Sequence, residues 1–133
     1  MKFKANHFTF TVKDIDESIK WYSDKLGLKV LTRYEWNGIQ IAHLKLASFR
    51  LELFDNGKNT LPLPDYRKEL MSDLSVMGVK HLCIETDNLE KSVAELKKKG
   101  VEFIQEISKA GFGGRKTFFK DCNGIIIELY QSE

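Results

Sequence analysis

From His7 to Val12 polar and apolar residues alternate, with His7, Thr9 and Thr11 set against Phe8, Phe10 and Val12. That period of two marks a half-buried strand. The pattern then turns helical. Ile15, Ile19, Tyr22 and Leu26 fall on one face of a helix that Asp14 and Glu17 would open as N-cap and capping box, and that Gly27 would close. Three extended segments follow, Leu28–Trp36, Ile39–Leu46 and Phe49–Asp55, the first two joined by the hairpin signal Asn37-Gly38.

The same order recurs in the second half. Residues 7–27 read HFTFTVKDIDESIKWYSDKLG and residues 81–100 read HLCIETDNLEKSVAELKKKG, so His7 meets His81 at an offset of 74 and Gly27 meets Gly100 at 73. Leu51-Glu52-Leu53-Phe54 meets Ile127-Glu128-Leu129-Tyr130 at an offset of 76. Asn88 is the second helix cap, Leu89, Val93 and Leu96 its apolar face, and Gly100 its end; the strands after it are Val101–Ser108, Arg115–Lys120 and Gly124–Gln131. Asn56 to Gly78, with Gly57, Pro62 and Pro64 and a polar stretch Asp65–Asp73 that could hold a helical turn, reads as a linker. The pattern predicts an α+β fold of two tandem βαβββ modules, about 5–55 and about 79–131, forming one domain over 1–133. Helices outside and strand faces inside would make a cup-shaped sheet.

Composition excludes several classes of function. The 21 basic and 19 acidic residues leave a net charge of +2, with no basic arm or stripe for nucleic acid. Nowhere do 18 apolar residues run together, and no apolar stretch of signal-peptide length follows the N-terminal residues, so the expected compartment is the cytoplasm and no membrane partner is implied. Cys83 and Cys122 lack Cys-x-x-Cys spacing and read as reduced thiols.

Strand parity puts His7, Thr9 and Thr11 opposite the helix face, and likewise His81, Cys83 and Glu85. On the last strand of each module it groups Arg50, Glu52 and Phe54, then Ile126, Glu128 and Tyr130, leaving Leu51, Leu53, Ile127 and Leu129 to face the helices. Two imidazoles and two carboxylates converging on the concavity would suit a borderline divalent cation, such as nickel, cobalt, zinc or manganese, one per site and with open positions for a small-molecule substrate. The plainer alternative is two histidines at strand starts and two solvated glutamates. Against it, both pairs obey the repeat together, between apolar neighbours that make an unpaired carboxylate costly. Arg50, Phe54 and Tyr130 share those faces as candidate substrate contacts. His43 has no repeat partner and reads as a structural histidine. Gly111-Phe112-Gly113-Gly114-Arg115 lacks the Lys-Ser/Thr ending of a phosphate loop and reads as a strand connection whose Arg115 could meet an anionic substrate.

HFTFTVKDIDESIKWYSDKLGLKV, RLELFDNG, KHLCIETDNLEKSVAELKKKGVEF and DCNGIIIELYQ together resemble the vicinal oxygen chelate superfamily over essentially the whole chain. That group contains glyoxalase I, methylmalonyl-CoA epimerase, extradiol dioxygenases, fosfomycin-resistance proteins and bleomycin-binding proteins. The resemblance implies that His7, Glu52, His81 and Glu128 are metal ligands, a set most similar to bacterial glyoxalase I. It implies a glyoxalase I-like isomerase or lyase, with Glu128 as base and Glu52 as its counterpart, acting on a small molecule that chelates the metal through adjacent oxygens, a thiol adduct being the family example. Asn56 matches a residue that holds glutathione there. Thr11 stands where an arginine is expected, so glutathione itself is not implied. A homodimer is common in the family. The alternatives are a sequestering resistance protein of the bleomycin-binding type, whose members generally lack the ligand set, and an epimerase or thiol transferase on the same scaffold.

Overall fold

Helix α1 (Ile15–Leu26) begins where the pattern puts it, with Asp14 in extended conformation accepting a hydrogen bond from the Glu17 amide at 2.8 Å. The bond satisfies one of the orphan donors of the first turn. Gly27 ends the helix at φ 74, a left-handed conformation that costs other residues about 1–2 kcal/mol. Ile15, Ser18 and Tyr22 are its buried residues, while Ile19 and Leu26 are half-buried.

The structure is a computed structural model and describes residues 1–133. It divides into two compact units, 1–62 and 63–133, the boundary falling inside the segment read as a linker. The strands are hydrogen-bonded as two sheets, one in each unit, and the α+β class expected from the sequence holds.

In the first unit β1 (Phe8–Thr11), β2 (Lys29–Trp36), β3 (Ile39–Leu46) and β4 (Phe49–Asp55) lie in the order β1-β4-β3-β2, with β1 parallel to β4 and the other pairs antiparallel. Asn37 and Gly38 turn the β2–β3 hairpin at φ 50 and 78, the mirror-image turn whose twist suits paired strands. α1 packs on β3 and β4. Phe10, Val12, Ala42, Leu44, Leu51 and Leu53 are buried on that side with Ile15 and Tyr22, each large apolar side chain contributing roughly 1.5–3 kcal/mol by burial. β2 is the sheet edge and exposed along its whole length.

In the second unit α2 (Leu70–Leu74) precedes β5 (Leu82–Glu85) and α3 (Leu89–Lys98), followed by β6 (Glu102–Phe103), β7 (Ser108–Lys109), β8 (Arg115–Lys120) and β9 (Ile126–Gln131). The order is β5-β9-β8-β6, with β7 beside β8. Asn88 caps α3 through the Lys91 amide at 2.9 Å; the C-cap is Lys99, one residue before the expected Gly100, which follows at φ 81. The segment 101–108, expected as one strand, is two short ones. The Ile104 amide still bonds the Phe118 carbonyl at 3.0 Å, but the Gln105 carbonyl takes the Thr117 hydroxyl at 2.8 Å instead of a backbone partner. The linker holds 3-10 turns at Gly57–Asn59 and Asp65–Arg67 before α2. Buried Asp73 ties it down, 3.2 Å from Arg67 Nε and 3.7 Å from Lys80 Nζ. No helix is long and apolar enough to cross a membrane.

Candidate metal-binding half-sites

Each unit brings one expected histidine together with one expected glutamate. In the first, the pairings Thr9↔Glu52 and His43↔Glu52 set three side chains in a row on the sheet face away from α1, and His7 precedes β1 on the same parity. Glu52 is buried. Its Oε1 accepts from Thr9 Oγ1 at 2.8 Å and lies 3.6 Å from His7 Nε2, while Oε2 lies 2.8 Å from His43 Nε2. The Thr9 hydrogen bond offsets part of the cost of taking a carboxylate out of water.

His43, expected as a structural histidine, has the Tyr34 hydroxyl 3.3 Å from its Nε2 as hydrogen-bond partner and stands beside a site carboxylate. Its ring stacks on Tyr34 at 6.0 Å and meets the edge of His7 at 5.6 Å. The signal that would have found it is strand register: a two-residue turn at Ala47-Ser48 puts residue 43 opposite residue 52.

In the second unit His81 Nε2 lies 2.9 Å from Glu128 Oε2, and the His81 ring sets its edge against Phe118 at 5.1 Å. His81 Nδ1 is buried with no hydrogen-bond partner, an expense that structural histidines rarely carry. Cys83 is the direct cross-strand partner of Glu128. Burial pushes its thiol up to about 11, with the Glu128 and Glu85 charges adding to the effect. Tyr130 shares the face, its hydroxyl donating to the Gly113 carbonyl at 3.0 Å and its ring stacked on Phe112 at 5.1 Å. Burial, followed by the Glu85 charge, raises that hydroxyl above the ordinary tyrosine range.

The remaining expected residues are placed unevenly. Arg50 lies on the Glu52 face opposite Lys45, Phe54 is half-buried on that face, and Asn56 opens a 3-10 turn with its amide donating to Thr60 Oγ1 at 3.1 Å. Arg115 does not join the Glu128 face. Its register partner is Gln131, on the α3 side of the sheet, and its guanidinium reaches Glu90 Oε2 at 3.0 Å and Gln131 Oε1 at 3.3 Å. That guanidinium holds the Glu90 carboxyl below the usual carboxylate range.

No three His, Cys, Asp or Glu side chains form a group that could hold a metal ion; the donors stand as pairs. The spacing of the pairs falls just to either side of that expected for two ligands of one cation. Two ligands each about 2.1 Å from one ion and 90–110° apart are roughly 3.0–3.4 Å from each other. The observed separations are 2.9 Å for His81 and Glu128 and 3.6 Å for His7 and Glu52. Mixed nitrogen and oxygen donors are of the type that suits a borderline divalent ion.

Residues 4–129 match the sequence profile of the Glyoxalase/Bleomycin resistance protein/Dioxygenase superfamily. The chain belongs to this superfamily. Among its members, the mitochondrial methylmalonyl-CoA epimerase of Mus musculus is 28% identical over 134 residues, covering 97% of this chain and 73% of that protein. The solved structure of the trypanothione-dependent glyoxalase I of Leishmania major is 27% identical, with a TM-score of 0.74 over 98% of this chain and 87% of the other. The fosfomycin resistance protein FosX of Listeria monocytogenes, solved with Mn(II), shares the fold at a TM-score of 0.69 and 14% identity, over 100% of this chain and 93% of the other. Members of the superfamily thus include enzymes, and at least one carries a divalent metal.

Proposed function

We propose that this chain is a metal-dependent enzyme that moves a proton at a carbon beside a carbonyl group, with His7, Glu52, His81 and Glu128 as ligands to a divalent cation. One observation carries the reading: the same histidine–glutamate pair occurs twice, at repeat-related positions, on the sheet face that the helices leave free.

A bound divalent cation would stabilise the negative charge that develops on the substrate oxygens as the proton leaves. Glu128 takes that proton, with His81 at 2.9 Å orienting its carboxylate. Glu52 is its counterpart, held by Thr9 and His43. Arg50, with Lys45 across from it, meets an anionic group of the substrate; Phe54 and Tyr130 supply apolar walls and Asn56 a polar contact at the end of β4.

Epimerisation of an acidic acyl thioester is favoured over a lyase reaction on a glutathione adduct. This chain takes in 73% of the mouse epimerase against 48% of the lactoylglutathione lyase of Schizosaccharomyces pombe, and Thr11 offers no positive charge to a glutathione carboxylate. The lyase reaction on another thiol adduct is the second reading, favoured by the two-histidine, two-glutamate donor set. Both belong to a cytoplasmic homodimer, whose size gel filtration would measure.

Elemental analysis of untagged protein, followed by incorporation of solvent deuterium, tests the proposal. Chain loaded with nickel, cobalt, zinc or manganese is expected to exchange the α-proton of methylmalonyl-CoA, or of 2-oxoaldehyde adducts with one of several thiols. A chain that takes up none of these metals overturns the reading.

A further inference from the structure

We infer that Lys116 is a specificity-determining residue whose ammonium receives a carboxylate on the acyl end of the substrate, an assignment that rests on the proton-transfer reading above. The expected anion contact of this strand, Arg115, is turned to the α3 side. Its neighbour Lys116 takes the opposite face. Lys116 is the direct cross-strand partner of Tyr130, and Phe118, two residues on, is that of Glu128, so all four share the sheet face that carries the proposed base.

The position departs from the internal repeat. Phe54 and Tyr130 are repeat-related, and the residues paired with them are Ile41 and Lys116. Ile41 is 2% exposed, whereas its counterpart is a half-buried lysine. The Lys116 ammonium stands 5.4 Å from the centre of the Phe118 ring and forms no ion pair, while the Glu128 carboxylate is left to His81 at 2.9 Å. A lysine drawn part-way out of water with only a ring face beside it keeps a charge that no side chain neutralises. A carboxylate would meet it with charge-assisted hydrogen bonds.

The place of Lys116 says which part of the substrate it meets. Residues two apart on a strand are separated by about 6.6 Å, and the ammonium leans over Phe118, across from Glu128. A carbon whose proton Glu128 takes must lie within hydrogen-bond reach of that carboxylate. The group presented to Lys116 is therefore close to the reacting carbon, at the acyl end rather than on a distant carrier. Lys45 and Arg50 stand on the sheet of the other unit and are a separate contact.

The test is calorimetric titration of the full chain with methylmalonyl-CoA and with propionyl-CoA, esters that differ by one carboxylate. It is made on the cobalt-loaded chain and again after chelation, which separates carboxylate binding by a metal from binding by the lysine. Lys116→Met keeps the length of the side chain and an apolar contact with Phe118. It is expected to weaken methylmalonyl-CoA binding roughly 10–100-fold in both preparations while leaving propionyl-CoA within about twofold. Lys116→Arg restores the charge and is expected to recover most of the loss. In solvent-deuterium exchange by the loaded enzyme the loss is expected in KM rather than in kcat. Unchanged affinity for methylmalonyl-CoA in Lys116→Met, or equal losses for the two esters, overturns the assignment; a wild type that does not distinguish the esters does so as well. None of these outcomes touches the proton-transfer reading, which metal uptake and exchange by the wild type decide separately. Should Lys116→Met fail to fold, Lys116→Gln, also neutral, takes its place.

Discussion

Lys45 and Arg50 are direct partners across β3 and β4, on the face that carries Glu52, and neither forms an ion pair. Like charges set opposite each other destabilise a sheet by a few tenths of a kcal/mol or more. An anionic substrate would relieve that repulsion. Replacing either residue with Ala should raise KM for an anionic substrate roughly tenfold, a loss of about 1.4 kcal/mol in binding, with kcat nearly unchanged and thermal stability equal or slightly higher. Steady-state kinetics at two salt concentrations would check this, since a KM indifferent to both the substitution and the salt would remove the anionic group from the proposal.

Glu128→Gln keeps the shape of the side chain and removes the base. Loss of a general base costs about 100–10,000-fold in rate, so solvent-deuterium exchange into substrate should fall by at least 100-fold while most metal uptake survives. Equal rates in variant and wild type would assign the proton transfer elsewhere.

Cys83 should be a slow nucleophile in the metal-free chain. With its thiol raised to about 11 by burial and by the Glu128 charge, the reactive thiolate is scarce at neutral pH. Alkylation by iodoacetamide near pH 8 is expected to be at least tenfold slower at Cys83 in the folded protein than in the chain unfolded in urea. The sign for stability follows from linkage. A thiol at 9.0 when unfolded and about 11 when folded contributes its stability below pH 9 and loses it as pH rises towards 11. Urea midpoints of the metal-free chain compared at pH 8.5 and 10.5, with Cys83→Ala as the control that flattens this part of the difference, would measure it.

Gly114 admits no side chain. A Cβ there would lie 2.3 Å from the Gln131 carbonyl oxygen and 2.7 Å from the Tyr130 hydroxyl, at a backbone φ of +72. Gly114→Ala should cost about 2–3 kcal/mol through strain and displacement of the Tyr130 ring. Denaturant unfolding would report the cost. Gly111→Ala, at a position where nothing lies within 4 Å, is the control expected to change little.

Much of this protein is determined by its sequence alone, because the signals are local and periodic. The Asp14 and Asn88 caps, the left-handed Gly27, the Asn37-Gly38 turn and the in-out parity of Leu51, Glu52 and Leu53 depend on residues within a few positions of each other. The internal repeat then made His7 with Glu52, and His81 with Glu128, legible as pairs. The tertiary structure decided what depends on register between strands. His43 reaches Glu52 only because β3 and β4 turn tightly at Ala47-Ser48, with Ala47 at φ 51, a turn that lacks the glycine or asparagine that would announce it. Arg115 looked like a substrate contact in its glycine-rich loop, yet its parity on β8 carries it to Glu90 and the α3 side. A strand's own alternation says which residues share a face, but which neighbour's face they meet is set by pairing across many intervening residues.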